Sequence, residues 1–287
     1  MIRFGSRVPA QDRALVMAIV NRTPDSFYDK GATFSDDAAM AAVDRFVGEG
    51  ADIIDIGGVK AGPGSDVDAA EEIRRVVPFV AAVRERHPDA VISVDTWRGE
   101  VGRIAVAEGA DLLNDTWAGA DPTLGEVAAA TGAGIVCSHT GGAVPRRRPH
   151  RVRYADIVAD VIADVCGQAE KLVALGVPKE GILIDPTHDF GKNTFHGLAL
   201  LRHCDELVAT GWPVLMALSN KDFVGETLGA ADVTERLEGT LAATALAAAA
   251  GARVFRAHQV TATRRTVDMV ASIVGTRPPA RAVRALA

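Results

Sequence analysis

Asp52-Ile53-Ile54-Asp55-Ile56-Gly57-Gly58 is the stretch whose reading decides the fold. It is a short, nearly continuous apolar run closed by two glycines. A strand with one wet face alternates apolar and polar residues, whereas a strand covered on both faces reads as this one does. Working outward, the same pattern recurs at Leu15–Val20, Val91–Val94, Asp111–Asn114, Gly134–Ser138, Ile182–Asp185, Val214–Leu218 and Arg253–Ala257. Between these runs, apolar residues return every three or four positions, as at Val161, Val165, Ala169 and Leu172. That spacing predicts helices over Asp36–Glu49, Asp68–Arg86, Arg98–Glu108, Tyr154–Leu175, Thr234–Ala250 and Ala262–Val274. Eight units average ~36 residues each, close to one strand–helix repeat. No Pro- or Ser-rich linker interrupts them. The expectation is an α/β chain forming a single (β/α)₈ barrel over residues 1–287. Its core would run from about 14 to 274, with a short N-terminal extension and a loose tail past Gly275 that holds Pro278 and Pro279. A doubly wound open sheet is the runner-up. Its first turn should carry G-x-G-x-x-G, and here that turn reads Asn21-Arg22-Thr23-Pro24-Asp25-Ser26-Phe27.

Composition narrows the classes. The chain has 287 residues, 48% apolar and 24% charged, which is enough apolar material for a large core. Thirty-one Lys and Arg against 37 Asp and Glu leave a charge of −6, so a nucleic-acid partner is not expected. Aromatics are 5%, which suits close helix-on-sheet packing better than a sandwich. No apolar run reaches the ~20 residues of a membrane span, and Met1–Arg13 lacks the apolar stretch of a signal peptide. Cys137, Cys166 and Cys204 are odd in number and far apart, with neither a disulfide framework nor a zinc pattern. A reducing, cytoplasmic compartment is expected.

A (β/α)₈ barrel places its active site at the C-terminal ends of its strands. The eight runs end at Asn21, Asp55, Asp95, Asn114, His139, Asp185, Ser219-Asn220-Lys221 and Arg256 with His258. An Asx residue after a strand is commonly only a turn or a helix cap. Taken together, Asp95, Asn114 and Asp185 suit a flat, donor-rich heterocycle, because carboxylates accept from ring N–H and amino groups. Lys221 supplies a cation for a ring carbonyl or nitrogen, and Arg256 a plane for stacking or a fork for phosphate. Asn21, Arg256 and His258 read as an oxyanion or pyrophosphate site that suits Mg²⁺, with Asn21 as the candidate metal ligand. The arginines from Arg146 to Arg153 read as a solvated loop, and His188 and His196 as cap or surface residues. Cys137 reads as a small core residue.

These residues in their local contexts resemble dihydropteroate synthase. The matches are N-R-T-P-D-S-F at 21–27, D-I-G-G at 55–58, S-V-D-T at 93–96 and N-D at 114–115. They continue with S-H-T at 138–140, D-P-T-H-D-F-G-K at 185–192, S-N-K at 219–221 and R-A-H at 256–258. The resemblance implies a pterin pocket on a homodimeric barrel. It implies joining of a dihydropterin pyrophosphate to p-aminobenzoate, with Asp95, Asn114, Asp185, Lys221 and Arg256 on the pterin. Asn21, Arg256 and His258 would hold the pyrophosphate with its Mg²⁺. Catalysis by Asn21, Asp95, Lys221, Arg256 and His258 would be mainly electrostatic.

The chain departs from the family pattern around the second substrate. After the second strand the family reads D-x-G-G-E-S-T-R-P-G, and this chain has Val59, Lys60, Ala61 and Gly62 in place of Glu, Ser, Thr and Arg. After the seventh strand S-R-K-S becomes Ser219-Asn220-Lys221-Asp222, which puts a carboxylate where the p-aminobenzoate carboxylate would sit. Two such charges ~4 Å apart repel by roughly 1 kcal/mol even in water-like surroundings. Asp222 also suits a helix N-cap. D-P-G-F-G-F becomes Asp185-Pro186-Thr187-His188-Asp189-Phe190, and Thr140 stands where Met is usual. Ala61, Gly62, Asn220 and Asp222 therefore mark an altered second-substrate site. The expectation is a synthase-like protein that keeps a pterin-type pocket, with condensation weak or lost. An active synthase with rebuilt loops is the first alternative, and a pterin-dependent methyl transferase on the same barrel the second. Lys221 and the T-P-D-S-F loop argue against the latter. A metal-dependent hydrolase would want H-x-H after the first strand, where Asn21-Arg22-Thr23 stands.

Overall fold

A computed structural model of the chain describes residues 1–23, 35–60, 62, 64, 66–146 and 153–284. Eight strands alternate with helices: β1 (Leu15–Asn21), α1 (Asp36–Gly48), β2 (Ile53–Gly57), α2 (Ala69–Arg86), β3 (Val91–Asp95), α3 (Gly99–Ala107) and β4 (Leu112–Asp115). Then follow α4 (Thr123–Thr131), β5 (Gly134–Ser138), α5 (Ile157–Leu175), β6 (Ile182–Asp185), α6 (Thr194–Arg202), α7 (Cys204–Ala209) and β7 (Leu215–Met216). The series closes with α8 (Asp222–Leu228), α9 (Leu237–Ala250), β8 (Val254–Ala257) and α10 (Val260–Ile273).

All the strand pairings are parallel, in the order β6-β5-β4-β3-β2-β1-β8-β7. A parallel bridge between Ile184 and Val214, with Ile184 N–H donating to the Pro213 carbonyl at 3.0 Å, brings β6 against β7. The sheet is thus a nearly closed barrel ringed by helices, as the sequence predicts. β7 is the one strand much shorter than expected, two residues against the five of 214–218. Helices α4, α6, α7 and α8 carry six to nine residues each and show no clear periodic signal of their own. So few turns hold too little of a 3.6-residue repeat to stand out.

The period of two along each strand separates two cores. Val16, Ala18, Val20, Ile54, Ile56, Ile92 and Val94 face the helices. Leu15, Met17, Ile53, Val91, Leu112, Val136, Leu183, Leu215 and Val254 fill the barrel interior. Ile2 and Phe4 join this inner cluster and are buried, so the N-terminal extension packs into the bottom of the barrel. The core therefore begins earlier than the expected position 14. The inward positions one or two pleats above the apolar layer are polar: Asp55, Ser93, Asp95, Asn114, Ser138, Asp185 and Arg256. Register aligns them at one end, with Asp55 beside Ser93, Asp95 beside Asn114 and Ser138 beside Asp185. Beyond Gly275, residues 276–284 lie almost entirely exposed.

Candidate ring-binding site

A cavity of about 630 Å³ opens at the C-terminal ends of the strands. Asn21, Asp95, Asp185, Lys221, Arg256 and His258 line it, together with Gly62 and Asp222. These come from strand ends and the loops that follow them. Asn114 and Asn220 do not line it. Asn114 is buried and donates its amide to the Asp55 carboxylate at 3.3–3.4 Å, away from the cavity lining. Asn220 is also buried and adopts a φ of +58°, a conformation asparagine tolerates better than most residues. Its amide donates to Gln259 Oε1 at 3.3 Å. Ala61, Pro24–Phe27 and Arg147, Arg148 and Arg151 lie outside the described residues.

Charge at the floor is organised by Arg256. Its Nε donates to Asp55 at 2.7 Å and its Nη2 to Asp95 at 2.9 Å. Asp55 accepts further from Ser93 Oγ at 2.6 Å, and Asp95 from Thr116 Oγ1 at 3.3 Å. Burial pushes the Asp95 carboxyl up to about 7, with Arg256 opposing and Asp55 adding to the rise. Asp185 accepts the Thr187 N–H at 2.7 Å. Burial raises it to about 6, against the pull of that bond and of Lys192, Lys221 and Arg256. His258 stays neutral, because burial and then Arg256 and Lys221 push its proton affinity well below the usual range. Its Nδ1 lies 3.1 Å from Ser219 Oγ.

The loop after β6 departs most from expectation. His188, expected as a cap or surface residue, is buried, lies against Phe223 with centroids 5.4 Å apart, and lines the cavity. Neither ring nitrogen has a hydrogen-bond partner among the described residues. Burial holds the imidazole down to about 3. The loop's curl toward α8 carries the side chain inward, which local sequence does not reveal. His196 does act at a helix end, in a reciprocal cap with Asn193 at the start of α6. Thr187 takes a φ of +51° where the family pattern has glycine, a costly conformation for a β-branched residue. Asp189 accepts from the Lys221 ammonium.

Lys192 closes the D-P-T-H-D-F-G-K stretch, and the sequence assigns it no role. Its Nζ donates to the carbonyls of His139 at 2.9 Å, Thr187 at 3.0 Å and Phe190 at 3.0 Å. It thereby ties this loop to the end of β5. Burial lowers it to about 7. Trp117 and Phe190, 4.5 Å apart and edge-on, add an aromatic wall. The motif spacing places both near the rim, and only their packing makes them a wall.

At the seventh strand, Asp222 is the first residue of α8, and Lys221 precedes it as the cap, without a side-chain capping bond. The expected N-cap at Asp222 is therefore off by one residue. Asp222 accepts from Arg236 Nη1 at 2.9 Å. Glu226, one turn further, accepts from Thr194 Oγ1 and also lines the cavity. Among the described residues, no group of three His, Cys, Asp or Glu side chains is placed to hold a metal. No helix among them is long and apolar enough to cross a membrane.

Comparison with known proteins fits this geometry. The family model described as pterin binding enzyme matches residues 17–258. The chain is 68% identical over 285 residues to the inactive dihydropteroate synthase 2 of Mycobacterium leprae, covering 98% of each. It is similar to the solved structure of Mycobacterium tuberculosis Rv1207, with a TM-score of 0.75 and 54% identity over 97% of this chain and 100% of that one. It is also similar to Yersinia pestis dihydropteroate synthase solved with a sulfonamide drug complex, with a TM-score of 0.87 and 35% identity over 93% and 96% of the two chains. The barrel, the polar rim and the match over residues 17–258 together make this chain a member of the pterin binding enzyme family.

Proposed function

We propose that the protein binds a pterin-type ring at the barrel mouth and performs the p-aminobenzoate condensation poorly or not at all. The observation that carries the reading is the meeting of Asp95, Asp185, Lys221 and Arg256 around one cavity. The carboxylates take the ring's amino and N–H donors, Lys221 takes a ring acceptor, and Arg256 offers its guanidinium face. Asn114 supports this set by holding Asp55, the partner of Arg256. The name of the Mycobacterium leprae relative, an inactive synthase, accords with the impaired half of the reading.

The second-substrate side explains the impairment. Around the start of α8 two cations hold the chain's own carboxylates, Lys221 with Asp189 and Arg236 with Asp222. An incoming aryl carboxylate would meet the negative charge of Asp189 and Asp222, both of which line the cavity. Gly62 offers no side chain to replace the fork of the family arginine.

Asn21 and His258 suit the pyrophosphate end. A single amide oxygen without a cluster of carboxylates fits a Mg²⁺ ion that arrives with the pyrophosphate, since this ion is commonly held by few protein ligands and by substrate phosphates. A homodimer and a cytoplasmic location complete the proposal. Exposed Leu246, Met269 and Ile273 on the adjoining helices α9 and α10 support the dimer.

Calorimetric titration with a dihydropterin pyrophosphate, with and without Mg²⁺ and then with p-aminobenzoate, tests the reading. Binding of the first without turnover on adding the second is expected. Ordinary dihydropteroate formation would refute the impaired half, and absence of any pterin binding the rest.

A further inference from the structure

The pair between Asp189 and Lys221 faces the cavity. Both residues line it, and their side chains keep 35% and 15% exposure. The loops that carry them follow β6 and β7, which the bridge at Ile184 and Val214 sets side by side. Lysine has three donor hydrogens, and Asp189 occupies one of them. An ionised carboxylate only accepts, and it has more lone pairs than one ammonium can fill. At this point the wall therefore shows a donor and an acceptor together, where a bare lysine would show donors alone.

The edges of a pterin differ in what they offer. The edge with the amino group and its neighbouring ring N–H supplies donors, which Asp95 and Asp185 can accept. The adjoining edge carries the carbonyl oxygen and, across the ring junction, the nitrogen N5. In the fully oxidised and dihydro rings N5 has a lone pair and no hydrogen, so that edge has acceptors only. In the tetrahydro ring N5 carries a hydrogen, so the same edge has an acceptor beside a donor. Against an acceptor-only edge, the Asp189 carboxylate finds no proton and repels the lone pairs. Against the tetrahydro edge, Lys221 takes the carbonyl oxygen and Asp189 takes the N–H.

We infer that Asp189 is a specificity-determining residue that makes this pocket select the tetrahydro form of a pterin-type ring over the oxidised form. The inference rests on the ring-binding reading above and adds to it the reduction state of the ligand.

The test is anaerobic titration calorimetry of the full chain with tetrahydro and fully oxidised 6-hydroxymethylpterin. The native protein, Asp189→Asn and Asp189→Gly are compared. The native protein is expected to bind the reduced ring about tenfold tighter, the range of one hydrogen bond to a charged group. Both variants are expected to bring the two affinities within about twofold of each other, with a gain for the oxidised ring. Asp189→Asn keeps the side-chain shape and carries the test if the glycine variant loosens the loop. Equal affinities in the native protein, or a preference that survives both substitutions, overturns the inference and leaves ring binding standing. No binding of either ring by any of the three proteins overturns ring binding and the inference with it.

Discussion

Asp55, wholly buried inside the barrel, accepts the Nε–H of Arg256 at 2.7 Å across 201 positions of chain. Ser93 and Asn114 donate to the same carboxylate. The cavity-lining guanidinium is therefore held in place by a residue that does not itself line the cavity. Replacing Arg256 with Met should leave Asp55 buried without its cation and destabilise the fold by ~3–5 kcal/mol. The double variant Arg256→Met with Asp55→Asn should recover a good part of that. Urea denaturation of the three proteins checks it, and a single variant as stable as the native chain would count against a supporting role for Asp55.

Ring affinity should depend on pH through the floor carboxyls. Burial lifts Asp185 to about 6 and Asp95 to about 7, so both are partly protonated in weak acid. A protonated carboxyl accepts less well from the ring's donors. Affinity should therefore fall as pH drops from about 8 to about 5. Asp185→Asn should bind the ring more weakly and lose the lower part of this dependence. Titration calorimetry across the range shows it directly.

His188→Phe should stabilise the protein, increasingly so in acid. In the fold the imidazole is neutral, with a proton affinity pushed down to about 3, whereas the unfolded chain takes up a proton near 6.5. Between these values the unfolded state binds more protons, so the native histidine loses stability as pH falls from 6.5 toward 3. Phenylalanine removes that loss and two unpartnered ring nitrogens. A gain of about 1 kcal/mol at pH 7 and about 2 kcal/mol more at pH 5 is expected. Thermal melts of both proteins at the two pH values measure it.

Gly191→Ala should loosen the loop that carries Lys192. Gly191 has a φ of +64°, and a Cβ there would lie 2.4 Å from the Thr140 carbonyl oxygen. Backbone cannot yield as a flexible side chain does, so a loss of ~2–4 kcal/mol is expected. Proteolysis between residues 186 and 193 should rise in parallel, and an unchanged melting temperature would contradict the clash.

Much of the site is legible in the amino-acid order. Asp95, Asp185, Lys221, Arg256 and His258 all lie at or just past strand ends, and a barrel delivers strand ends to one mouth. Asn114 and Asn220 satisfy the same rule yet stay out of the cavity. Asn114 turns its amide to Asp55, and the left-handed backbone at Asn220 turns that side chain under the rim. Strand-end position says which mouth a residue approaches. Which neighbour captures its side chain is a separate matter.

Local chemistry determined the strands, their two-sided burial, the barrel and the family motifs, because hydrophobic period and short-range pattern act over a few residues. Tertiary structure alone decided the pairing of Asp189 with Lys221, the burial of His188 and the insertion of Ile2 and Phe4 into the barrel floor. Each of those depends on distances between segments remote in sequence. Such distances are settled only when the sheet closes and sets the loop after β6 beside the loop after β7.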